Sequence, residues 1–168
     1  DGRDPGPDFP ENYYCMPWGN NWDFPELQKK DFTRYFRNKC IPQLKELLTN
    51  YGPVCELWFD CAIGMSDAES QELCKLVHSL QPDCVINSRV GNDRGDFVSL
   101  GDNQNMQGKS AVPVESPITL NDTWGFKYDD DNWKSARYIA ERMASLADRN
   151  TNMLLNIGPM GDGAFTKE

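Results

Sequence analysis

Apolar and polar positions along the chain fall into blocks that predict alternating helices and short strands. Phe32, Tyr35, Phe36, Cys40, Leu44, Leu47 and Leu48 recur at helical spacing and predict a first helix over residues 31–50. Pro42 is expected to kink or divide it, because proline lacks the N–H a helix needs. Asn50-Tyr51-Gly52-Pro53 is the stop signal. Cys55-Glu56-Leu57-Trp58-Phe59-Asp60 follows, a mostly apolar run that predicts a buried strand ending on an acid. Ser66 with Glu69 three residues on makes a capping box. It opens a second helix whose buried stripe is Leu73, Leu76, Val77 and Leu80, with Pro82 at its end. Cys84-Val85-Ile86-Asn87 predicts a second strand, running into Ser88-Arg89.

Between residues 90 and 117 no period emerges, and Gly91, Gly95, Gly101 and Gly108 break the pattern. A loop this long in a compact domain is usually functional. A third strand or extended segment is expected over 119–126, and Asp129-Asp130-Asp131 reads as a solvated turn. Ala136, Ile139, Ala140, Met143, Leu146 and Ala147 predict a third helix over 135–148. Met153-Leu154-Leu155-Asn156-Ile157 reads as a last strand before a Gly-rich turn system. This order points to a parallel α/β sheet or barrel. Three or four strands are too few for an eight-stranded barrel of about 250 residues, so either the sheet is small and open or half a barrel is missing. Residues 1–30, rich in Pro, Gly, Asn, Asp and Trp, read as an irregular extension. Trp18 and Trp22 within it suit stacking on a sugar face and anchoring the loop equally well.

Composition narrows the function. At 168 residues there is room for one domain with a real core. A net charge of −9 argues against nucleic acid and anionic membranes as partners. No apolar run approaches the roughly 18 residues of a membrane span. The chain begins at Asp1 with no signal-peptide pattern, so it is expected to be processed or a piece of something longer. The cysteines are Cys15, Cys40, Cys55, Cys61, Cys74 and Cys84, with no CxxC pair, and the only histidine is His78. Zinc and redox motifs are discarded on that spacing. Cys40, Cys55, Cys74 and Cys84 lie in apolar stretches and read as small buried hydrophobes. The spacing is compatible with disulfides and favours no one pairing. His78 falls in the last turn of the second helix, where packing or dipole complementation is the expected role.

Three strand ends then line up: Asp60, Arg89 and Asn156. In a parallel sheet such ends share one face, where catalytic groups gather. Between them hangs the Gly-rich loop with Asp96, Asp102 and Glu115. A strand-end carboxylate, a second carboxylate on a flexible loop, an arginine and several tryptophans fit a glycosidase: one carboxylate attacks the sugar or activates water, the other protonates the leaving oxygen.

Leu47-Leu48-Thr49-Asn50-Tyr51-Gly52-Pro53 followed by Leu57-Trp58-Phe59-Asp60 resembles the α-L-fucosidases of glycoside hydrolase family 29. So do Asn87-Ser88-Arg89-Val90-Gly91-Asn92, Gly95-Asp96-Phe97, Gly101-Asp102-Asn103-Gln104, Thr123-Trp124-Gly125-Phe126 and Leu154-Leu155-Asn156-Ile157-Gly158-Pro159. The resemblance runs from about residue 21 to the end, with the motifs in family order. It implies a (β/α)8-like, TIM-type barrel of which this chain supplies roughly the second half, the whole of 1–168 being part of one catalytic domain. The implied reaction is release of terminal α-L-fucose from glycans with retention of configuration. Asp60 matches the nucleophile, Trp58 an aromatic lining the fucose pocket, Arg89 an arginine near nucleophile and sugar, and Trp124 an aromatic near the fucose methyl. For the acid/base Glu115 is preferred and Asp102 is the alternative; Val114 replaces a tryptophan that often precedes that glutamate. Cys61 stands where most relatives have a small residue, often glycine.

No metal or organic cofactor is implied. The implied partners are a fucosylated glycan and the N-terminal half of the domain, as another chain, a cleaved neighbour or further sequence, because relatives carry fucose-binding histidines there. An extracellular, lysosomal or periplasmic compartment follows from the resemblance alone. Competing readings are a catalytically inactive fucose-binding protein on the same fold and a glycosidase for a related sugar such as a galactoside. A glycosylation sequon at Asn121-Asp122-Thr123 is expected to be unused, since a glycan there would crowd Trp124.

Overall fold

A computed structural model describes residues 31–62 and 65–167. The expectations placed on residues 1–30, including Cys15, Trp18 and Trp22, lie outside the described residues. Helix begins at Asp31, whose side chain accepts from the Arg34 N–H at 3.0 Å. It runs through α1 (Phe32–Tyr35), a π-helical stretch (Phe36–Cys40) and α2 (Ile41–Asn50). Pro42 explains the π stretch. The Ile41 N–H donates to the Phe36 carbonyl five residues back, and the proline that follows has no N–H to give. The wider turn absorbs the missing bond while the backbone stays helical.

β1 (Glu56–Leu57) pairs in parallel with β2 (Val85–Ile86), Glu56 opposite Val85 and Leu57 opposite Ile86. Between them lies α3 (Asp67–Leu80), opened by the Ser66–Glu69 capping box. The main apolar core fills the space between helices and strands: Phe36, Leu44, Leu48, Leu73, Val77, Cys84, Ile86 and Val90. β3 (Val98–Ser99), β4 (Val114–Thr119) and β5 (Thr151–Asn156) form a second parallel group in that order, with α4 (Ala136–Asp148) crossing from β4 to β5. A parallel bridge from Asn87 to Phe97 joins β2 to the start of β3. The described strands therefore follow one another in chain order, all parallel, as expected of a singly wound α/β sheet.

Several expectations need correction. The loop expected over 90–117 holds β3 and the start of β4. The strand expected over 119–126 ends at Thr119 instead. β4 reads Val-Glu-Ser-Pro-Ile-Thr, with no polar–apolar alternation and a proline that argues against a central strand. It is nevertheless buried at all six positions, because β3 and β5 flank it. Cys55 is exposed rather than buried, since β1 has no described strand on its outer side. Asp130 is buried, not solvated: it accepts from the Thr123 hydroxyl at 2.7 Å and the Asp122 N–H at 3.1 Å.

Candidate active site

β1 stops pairing at Leu57, yet the chain stays in line through a side chain. Asn87, fully buried, accepts the Phe59 N–H at 2.8 Å and donates to the Phe59 carbonyl at 2.9 Å. Its amide thus imitates one more residue of strand and fixes the direction in which Asp60 leaves. Gly95 lets the following turn close on Asn87. Its φ is +107°, and a Cβ there would lie 2.7 Å from the Asn87 carbonyl oxygen.

Arg89 comes from a 3-10 turn (Ser88–Val90) directly after β2. Its Nη1 donates to Asp60 Oδ1 at 3.3 Å, and its Nη2 donates to Asp102 Oδ1 at 2.7 Å and to the Leu100 carbonyl at 2.8 Å. The guanidinium lies over the Trp58 ring, 4.8 Å from its centroid. Burial disfavours the Arg89 charge, but hydrogen bonds and attraction from Asp102 and Asp60 outweigh it and hold its pKa above the ordinary value. The arginine side chain is 19% exposed, whereas both carboxylates are about half exposed, at 51% and 53%. A sheltered cation is thus shared by two solvent-facing acids.

The Asp102 loop is pinned, not hanging free as its glycines suggest. The Asn103 N–H donates to the Pro117 carbonyl at 2.9 Å, and Asn103 Oδ1 accepts the Thr119 N–H at 3.0 Å. Arg142 of α4 donates to the Asn103 and Gln104 carbonyls at 3.2 and 3.1 Å. Asn103 takes φ +56°, a conformation asparagine tolerates.

Glu115 sits elsewhere. It is the second residue of β4 and 6% exposed, and its Oε1 accepts from the Trp58 indole N–H at 2.8 Å and the Ser99 hydroxyl at 3.3 Å. Asp96 is turned away from the site: it accepts the Ile86 N–H at 2.8 Å and pairs with His78 Nε2 at 3.0 Å. Trp124 lies on the loop after β4, 41% exposed. Its carbonyl is held by the Asn156 side chain. Asn121 of the sequon is 5% exposed.

Cys61 adopts φ +56°, a region glycine enters freely, and its thiol donates to Asp60 Oδ2 at 3.5 Å. Burial and then the Asp60 charge push that thiol's pKa up. Among the described residues no group of three or more His, Cys, Asp or Glu side chains is placed to hold a metal ion. No described helix is long and apolar enough to cross a membrane. Sequence reasoning passed over Asn87 and Arg142. Asn87 had one signal, an amide closing an apolar run just before Arg89. Arg142 had none, since its partners are carbonyls.

Comparison with known proteins places the chain. The alpha-L-fucosidase family model matches residues 11–168. The alpha-L-fucosidase AlfC from Lactobacillus casei, solved with α-L-fucose product, superposes with a TM-score of 0.80 at 42% identity, over 91% of this chain and 47% of that one. Alpha-L-fucosidase isoenzyme 1 from Paenibacillus thiaminolyticus gives 0.80 at 31% identity, over 96% and 42%. Alpha-L-fucosidase 1 of Arabidopsis thaliana is 24% identical over 188 residues, 92% of this chain and 35% of that protein. The chain spans about a third of this plant relative and under half of these solved bacterial ones.

Proposed function

This chain belongs to the alpha-L-fucosidase family, and from that premise we propose that the protein containing it is a retaining exo-α-L-fucosidase acting on terminal fucose of glycans. The five strands are then one arc of a (β/α)8 barrel, with further chain supplying the other arc and the remaining walls of the sugar site. The observation that carries the reading is Arg89 bridging Asp60 and Asp102 beyond the C-terminal ends of β1 and β3. Asp60 is the nucleophile. Its Oδ1 lies on Arg89 and its Oδ2 on Cys61, so both oxygens are oriented.

For the acid/base the geometry favours Asp102 over Glu115. Asp102 is solvent-facing and shares a guanidinium with Asp60, an arrangement that permits the carboxyl separation of about 5–5.5 Å used in retention. Glu115 is buried, and its Oε1 accepts from Trp58 and Ser99. In the first step Asp60 attacks the anomeric carbon, the glycosidic bond breaks, and the Asp102 proton passes to the leaving oxygen. Asp60 loses its charge to the ester as Asp102 gains one. In the second step Asp102 takes a proton from water, which displaces Asp60. One guanidinium thus faces whichever carboxylate is charged. Trp58 and Trp124 supply apolar faces for the sugar.

The test is hydrolysis of an aryl α-L-fucoside by the full-length protein, with the anomer of the product followed by NMR. Asp60→Asn should lower turnover at least about a thousandfold, and wild type should release the α-anomer first. Undiminished turnover in Asp60→Asn, or first release of the β-anomer, would remove this reading.

A further inference from the structure

The proposed reaction leaves a buried carboxylate without a task. Glu115 Oε1 receives the only N–H that the Trp58 indole possesses, at 2.8 Å, and Ser99 supplies a second donor. Glu56 of β1 stands near enough to feel its charge. Trp58 in turn carries Arg89 on its ring face, and Arg89 reaches both Asp60 and Asp102. These contacts form one continuous chain from the sheet interior to the reacting carboxylates.

We propose that Glu115 is a positioning residue, which fixes the Trp58 indole and through it seats Arg89 between Asp60 and Asp102. The inference rests on the fucosidase reading above. An indole has a single donor, and a bond to that donor sets the rotation of the ring about its own axis. Ring rotation sets where a guanidinium can stack. Without the Glu115 anchor, the ring is free to turn and Arg89 loses its platform. Burial, and then the Glu115 charge, raise the Glu56 pKa.

The experiment uses the full-length protein and an aryl α-L-fucoside. Glu115→Gln keeps an acceptor for the indole and should hold kcat/KM within about threefold of wild type, whereas Glu115→Leu should lower it about thirtyfold. Azide should restore turnover to Asp102→Ala, whose missing acid/base it replaces, but not to Glu115→Leu. Adding Glu115→Leu to Trp58→Phe, where the donor is already gone, should cost nothing further.

Azide rescue of Glu115→Leu, or additive losses in the double variant, would overturn the proposal. If Glu115→Leu does not fold, Glu115→Gln decides alone: a hundredfold loss there overturns it. The Trp58 indole N–H resonance gives a reading independent of turnover. It should stay near its wild-type position in Glu115→Gln and move upfield in Glu115→Leu; a resonance unmoved by Glu115→Leu overturns the positioning role. An inactive wild type would sink the fucosidase reading and still leave the resonance to decide the contact.

Discussion

The two parts of the sheet are held by different means. β1 and β2 lie under helices and share an apolar cluster that reaches from Phe36 to Val90. β4 lies between two other strands, and much of what it and its loops bury is polar: Glu115, Ser116, Thr119, Asn121 and Asp130. Its crossover helix α4 buries only Leu146 and leaves Tyr138 and Met143 exposed at 42% and 54%. One part is stabilised by covering, the other by pairing and by side-chain hydrogen bonds. The candidate site straddles the seam, with Asp60 and Arg89 from the first part and Asp102 and Glu115 from the second.

The largest expected effect tests that contrast directly. Phe36→Ala empties the middle of the helix-covered core and should cost about 3–5 kcal/mol of unfolding free energy in the full-length protein. Met143→Ala, on the bare face of α4, should change stability by no more than about 0.5 kcal/mol. Urea titration measures both. A loss near 2 kcal/mol at Met143, well beyond the surface range, would break the contrast, because it would mean that chain outside the described residues covers α4.

Legibility in the sequence divides along the same seam. α3 and its capping box, the two strands beside it and the helix over 135–148 follow from apolar period and cap chemistry, which are local. So does Asp60 just beyond its strand, and its meeting with Arg89 follows from parallel order. β4 was not legible, because its burial comes from neighbours at distant positions and Pro117 speaks against a strand. The 100–104 loop looked free because glycines mark it, while the bonds that fix it come from Thr119, Pro117 and Arg142. The resemblance named the catalytic candidates and put Glu115 ahead of Asp102; the preference proposed above for Asp102 rests on the guanidinium it shares with Asp60, a contact motif order does not carry.

A smaller effect is expected where the first part borrows a hydrogen bond to continue its strand. Asn87→Ala strands the N–H and carbonyl of Phe59 and should cost about 1–3 kcal/mol. The same change should lower turnover about tenfold to a hundredfold, since Asp60 is the next residue and small misplacements of reacting groups are costly. Asn87→Asp keeps an acceptor for the Phe59 N–H but opposes a carboxylate to its carbonyl, so it should fall no closer to wild type than alanine. Full activity in Asn87→Ala would show that Asp60 is aimed by contacts on the other side of the seam.

The smallest expected effect is a pH dependence of stability, to which a group away from the seam and one beside it give opposite signs. Asp67, at the start of α3, has its pKa lowered by its hydrogen bond to Arg94. That contribution is present above the unfolded value of about 4 and fades as pH falls through the lower folded value. Glu56, at the seam, has its pKa raised by burial and by Glu115. The folded state holds the Glu56 proton better than the unfolded state does. Its contribution is therefore complete below an unfolded value of about 4.3 and is lost as pH rises through the folded one. Glu56→Gln should then remove a decline in melting temperature on the alkaline side of that window, while Asp67→Asn should remove a decline on the acid side. If Glu56→Gln flattened the acid limb instead, the folded state would not raise the Glu56 pKa, and the opposite signs at Glu56 and Asp67 would be lost.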